Sequence, residues 1–133
     1  IGFFFSIYLI KVHQVNSSIS PYFIILLLWY PCFENLFSII RKKITKFSAT
    51  NPDNSHLHQL FFQFILKKYK INNKLIANNI TSLIINTYHF FIFYVGIQSF
   101  NLTNVQLYLL GINIIVYICL YIFLYRFNEN LDK

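Results

Sequence analysis

Between Leu75 and Tyr125 the chain runs for 51 residues without an Asp, Glu, Lys or Arg. Wound as one helix, such a stretch would reach about 76 Å, whereas the hydrocarbon core of a bilayer is roughly 30 Å thick. The polar run Gln98-Ser99-Phe100-Asn101-Leu102-Thr103-Asn104 near its midpoint has the composition of a turn. The pattern therefore predicts two spans, Ile76 to Ile97 and Val105 to Tyr125. Upstream, Val12 to Phe33 is also free of the four charged types, and Tyr22 to Tyr30 is apolar on every side. A span is expected from Ser20 to Ile40, with Pro21 in its first turn and Pro31 introducing a kink. Residues 1–15 make a shorter, partial span. The first residue is Ile, with no basic run before the apolar stretch, so the chain is expected to begin inside or just before a membrane helix.

One stretch alternates differently. Leu57, Leu60, Phe61, Phe64, Ile65 and Leu66 recur at helical spacing, while Gln59, Gln63, Lys67 and Lys70 take the other face. This predicts an amphipathic helix of about 13 residues, preceded by Pro52-Asp53-Asn54-Ser55, a turn with three candidate N-cap residues. Such a helix would lie on the membrane surface or pack across the ends of the spans. The expected fold is thus all-α, an integral membrane helical bundle of four transmembrane helices, the first one partial. Its only long hydrophilic segment is the loop 41–74.

Composition sharpens this picture. The chain is 56% hydrophobic and 11% charged, against roughly 25% charged in a soluble domain, too few charges to clothe a soluble fold. The excess of Ile, Phe, Tyr, Asn and Lys is what A+T-rich codons produce, so single Asn and Tyr residues carry little weight. The net charge is +7, but eight of the eleven basic residues fall between Arg41 and Lys74. That clustering beside apolar spans follows the positive-inside pattern rather than a nucleic-acid surface, and puts the loop 41–74 and the C-terminus in the cytoplasm. Cys32 and Cys119 lie far apart in apolar runs and are expected to be small buried apolar residues.

Candidate chemistry gathers where the amphipathic helix begins. Asp53-Asn54-Ser55-His56-Leu57-His58 opens it, placing two histidines in a first turn whose free N–H groups and dipole favour anions. With basic residues around it, this is a cradle for a phosphate or diphosphate just outside the membrane; the plain alternative is a pair of surface histidines. Side chains two apart on a helix diverge, which disfavours joint metal ligation. Glu34 is an acid within a span, costly unless compensated. Pairing with Arg41, two turns along nearly the same face, or with a basic residue of a neighbouring helix is the structural expectation, and orienting the substrate loop is the functional one. His89, on an apolar span, is expected to be a hydrogen-bonded bundle residue. No paired carboxylates for magnesium, no glycine-rich phosphate loop and no Ser-His-Asp arrangement can be assembled from these residues, so no catalytic or metal-ligating residue is assigned.

The run Trp29-Tyr30-Pro31-Cys32-Phe33-Glu34-Asn35-Leu36-Phe37-Ser38-Ile39-Ile40-Arg41, followed by a basic stretch and Asn51-Pro52-Asp53-Asn54-Ser55-His56-Leu57-His58-Gln59-Leu60, resembles the C-terminal part of bacterial glycosyltransferase family 4. These are polyprenyl-phosphate N-acetylhexosamine-1-phosphate transferases, which start O-antigen and related cell-envelope polymers. Ile1-Gly2-Phe3 is similar to the stretch that follows the family's Asp-Gly nucleotide-sugar loop. The resemblance is most specific over Trp29 to Phe61, and the last two spans match only in hydropathy and order. Gln59 stands where the family commonly has a third histidine.

The resemblance implies a bacterial plasma-membrane enzyme that moves an N-acetylhexosamine 1-phosphate from a UDP-sugar to undecaprenyl phosphate with magnesium. The acidic magnesium motifs would precede the region present. His56 and His58 would donate hydrogen bonds to the sugar diphosphate, with Asp53 and Asn54 beside them and Glu34 and Arg41 in support. A second possibility is part of a transporter or channel with Glu34 and His89 on the pathway. A third is a non-catalytic membrane subunit that docks a partner through its amphipathic helix.

Overall fold

The computed structural model describes residues 2–44 and 55–131. They form five helices, and no strand occurs among the described residues: α1 (Gly2–Val15), α2 (Pro21–Ile44), α3 (Leu57–Tyr69), α4 (Lys74–Gln98) and α5 (Thr103–Leu131). Three of them, α2, α4 and α5, are long and apolar enough to cross a membrane, so the molecule is a helical membrane bundle. At 14 residues α1 rises only about 21 Å, short of a full crossing.

Each crossing helix runs past the limits that hydropathy alone predicts. α2 carries Arg41, Lys42 and Lys43 in its last turn, where cations complement the carboxyl end of the helix dipole. α4 starts at Lys74 because Asn73 caps it, its Oδ1 accepting from Leu75 N at 3.0 Å and Ile76 N at 3.4 Å. α5 continues through Arg126 to Leu131. Pro31 lies inside α2 without ending it; membrane helices tolerate proline where neighbours satisfy the freed backbone groups.

The α4–α5 turn is closed by Gln106, fully buried. Its Nε2 donates to Gly96 O at 2.8 Å and Ser99 O at 2.7 Å, adding a second donor to carbonyls that already accept from Ser99 N and Leu102 N in the turn. Ser20 N donates to Phe100 O at 2.9 Å, tying the start of α2 to the same turn. Gly96 is needed for the approach of α2: a Cβ there would meet Leu26 Cδ2 at 2.8 Å. The core links Leu26 and Trp29 of α2, Leu57 and Leu60 of α3, Ile92 of α4, and Tyr117, Tyr121 and Leu124 of α5. Leu83, Phe90, Phe91 and Ile115 are exposed, as side chains facing lipid should be, and Cys32 of α2 and Cys119 of α5, expected to be buried, are exposed on the outer faces of their helices.

The amphipathic helix forms where expected but packs deep in the bundle. Leu57, Leu60 and Ile65 of α3 are buried against α4 and α5. Phe64 meets Phe127 with ring centroids 4.7 Å apart, and Asn128 Nδ2 donates to Leu60 O at 3.1 Å. Lys70, in the left-handed conformation at φ 50°, ψ 40°, ends α3, and the chain returns as α4. The two helices form a hairpin in which α3 points inward: Leu57 lines a cavity with Ile85 and Tyr88 of α4 and Tyr117 of α5. Eleven residues separate Lys74 from Ile85, so the first turn of α3 sits about 16 Å inside the basic end of α4. α3 therefore packs within the bundle rather than on its surface.

Candidate functional site

The inward end of α3 meets α2 at Glu34, which is only 7% exposed. Its Oε1 accepts from Leu57 N at 2.9 Å and faces His56 Nδ1 at 3.0 Å. An oxygen that already accepts from a backbone N–H acts as acceptor toward the imidazole too, so Nδ1 carries the proton and Nε2 is left as the ring's other polar atom. Ser38 Oγ, one turn further along α2, lies 3.3 Å from the same Nδ1. The sequence leaves Glu34 between Arg41 and the substrate loop as partner; the structure gives its carboxylate oxygen to the entrance of α3. Arg41 holds its guanidinium 5.9 Å from the Tyr121 ring centroid.

The start of α3 differs from expectation in a way that changes the chemistry. The N-cap is His56 (φ −70°, ψ 150°), not Ser55. Gln59 Oε1 accepts from His56 N at 3.2 Å, the return half of a capping box. Asp53 and Asn54, the other expected caps and site residues, lie outside the described residues. Because His56 is extended and His58 helical, the divergence expected of two residues on one helix does not apply: their rings stack with centroids 5.7 Å apart and 11° between planes. The helix end marked in the sequence as an anion cradle already holds an anion, the Glu34 carboxylate. A ligand would therefore meet the exposed His58 rather than the first backbone N–H.

Glu34 Oε2 is buried beside the hydroxyls of Tyr30 and Tyr117, which face the carboxylate from α2 and α5. His89 Nδ1 donates to Ile85 O at 2.8 Å, and its ring packs edge-on against Tyr30 at 4.6 Å. Among the described residues no three His, Cys, Asp or Glu side chains are grouped so as to hold a metal ion.

The site has a wall that hydropathy concealed. A groove of about 640 Å³ runs between α3 and α4, lined by His58, Gln59 and Phe62 on one side and Lys74, Asn78, Ser82 and Asn86 on the other, with Tyr30 also contributing. The four α4 residues stand at spacing four, one row of a helix. A helical-wheel count of that span would have found them. Compared with known proteins, the chain matches no family model, no curated protein and no solved structure.

Proposed function

We propose that this chain is part of a membrane enzyme that transfers an N-acetylhexosamine 1-phosphate from a UDP-sugar to polyprenyl phosphate, at the cytoplasmic side of a bacterial plasma membrane. The observation that carries the proposal is the Glu34–His56–Leu57 junction. A surface His-x-His pair has no reason to be anchored by a buried carboxylate from a membrane helix. A pair that must present itself at a fixed place to a lipid-linked or nucleotide-linked phosphate does.

In the proposed reaction an oxygen of the lipid phosphate attacks the sugar-bearing phosphorus of the UDP-sugar. The bond from that phosphorus to the bridging oxygen breaks, and UMP leaves. Positioned donors stabilise the charge that develops on the leaving phosphate. His58 supplies such a donor from the groove, and His56, held through Nδ1 by Glu34, fixes the ring stacked on it. Magnesium, expected from the resemblance, would supply charge neutralisation from ligands elsewhere. The transporter alternative needs Glu34 on an open path, whereas its accepting oxygen is engaged by α3.

The test is exchange of labelled UMP with UDP-N-acetylglucosamine in membranes containing the full-length protein. His58→Ala is expected to reduce exchange about a hundredfold, the scale of losing one donor to developing charge. Unchanged exchange in both His56→Ala and His58→Ala would remove the loop from the reaction.

A further inference from the structure

We infer that the groove between α3 and α4 is the binding site for the phosphorylated sugar headgroup, with Asn78, Ser82 and Asn86 of α4 contacting the sugar and His58 the phosphate; this deepens the proposed function and rests on it. The inference starts from a physical anomaly. α4 is apolar enough to cross a membrane, yet it exposes Lys74, Asn78, Ser82 and Asn86 along one row that lines a cavity. Over twelve residues that row descends about 18 Å. A carboxamide facing hydrocarbon without a partner costs several kcal/mol, so polar side chains at such depth face water, protein or a polar ligand.

The opposite wall is chosen consistently. His58 and Gln59 face the row from α3, while the apolar Leu57, Leu60 and Ile65 turn away into the core. Between the apolar Phe62, Leu75 and Ile85 the lining offers neutral hydrogen-bonding groups, amides and hydroxyls that pair with sugar hydroxyls and an acetamido group. It carries basic groups at two places, Lys74 toward the basic end of α4 and His58 toward the inward end of α3. A sugar ring against the amides with its phosphate on His58 matches the inward part of this distribution, whereas an inorganic anion alone would leave the amides without a use. The volume, about 640 Å³, falls in the range of small-ligand sites. The same headgroup chemistry is offered by a soluble nucleotide sugar and by a lipid-linked sugar phosphate, and the test separates them.

Single cysteines are placed at Asn78, Ser82 and Asn86, and at the exposed apolar positions Leu83 and Phe90 as controls, in the full-length protein with Cys32→Ala and Cys119→Ala. Modification by a small charged thiosulfonate is timed in native membranes, alone and with UDP-N-acetylglucosamine, UDP, inorganic phosphate or a polyprenyl diphosphate sugar. The three groove positions are expected to react at least about tenfold faster than the controls. UDP-N-acetylglucosamine or the lipid-linked sugar, whichever is the source, is expected to slow Ser82→Cys about tenfold. Binding of the same probe to Asn86→Leu is expected to weaken about tenfold.

Groove positions no more reactive than Leu83→Cys would mean that another helix or lipid fills the groove, and the inference falls. Rapid modification that no sugar-bearing probe slows, in protein that still exchanges UMP, overturns the groove and leaves the proposed reaction standing. Protection by a sugar-bearing probe without any UMP exchange keeps the groove as a phosphosugar site and removes the reaction.

Discussion

The two ends of the bundle treat buried polar groups in opposite ways. At the α4–α5 turn, Gln106 closes its donors on carbonyls of the same hairpin, Gly96 and Ser99, and Ser20 ties α2 to Phe100. The Gln106 bonds are local and complete a turn, while the Ser20 bond joins α2 to that turn from far away in sequence. At the other end Glu34 reaches from α2 across a separation of 23 residues to Leu57, and its Oε2 lies buried beside Tyr30 and Tyr117. A polar group that only closes a helix end needs no charge. A buried carboxylate with a histidine on it is what a bundle retains for a purpose other than stability.

The comparison breaks most readily at Glu34. Glu34→Ala leaves Leu57 N–H and the His56 ring without their acceptor inside the bundle and is expected to destabilise α3 packing by about 3 kcal/mol. Hydrogen exchange in detergent should show faster exchange over residues 55–69, with α4 and α5 near their wild-type rates. At the opposite end, Gln106→Leu removes two buried hydrogen bonds, leaves Gly96 O and Ser99 O with only their backbone donors, and should cost about 2 kcal/mol. That loss should appear as a lower denaturant midpoint with α3 protection unchanged, the reverse pattern. Gly96→Ala, which forces Leu26 Cδ2 to move, should cost about 1 kcal/mol by the same readout. Smallest is Asn128→Leu, which removes the bond to Leu60 O and should cost about 1 kcal/mol or slightly less, felt in α3 exchange alone.

Much of this architecture was legible in the pattern of charges. The 51 uncharged residues between Leu75 and Tyr125 can only fold as a hairpin of spans, and α4 and α5 do so around a turn at 99–102. The α3 periodicity was equally plain. Its direction was not, because a period says which face is apolar and nothing about whether the helix lies on the bundle or dips into it. The acceptor for its first N–H is supplied by Glu34, a residue 23 positions away that no local capping rule can find. The row Lys74, Asn78, Ser82 and Asn86 was hidden by a different cause: asparagines discounted as products of codon bias turn out to share one face. The stacking of His56 on His58 depends on the cap falling at His56 rather than among residues 53–55, a shift of one residue that changes which side chains are parallel.

The most direct measurement is a double-mutant cycle between Glu34→Gln and His56→Ala, read as unfolding free energy in detergent. If the carboxylate of α2 and the imidazole at the head of α3 are joined, their effects fall short of additivity by about 1 to 3 kcal/mol. Additivity to within about 0.5 kcal/mol would mean the two side chains do not hold each other, and the anchored histidine pair would have no basis.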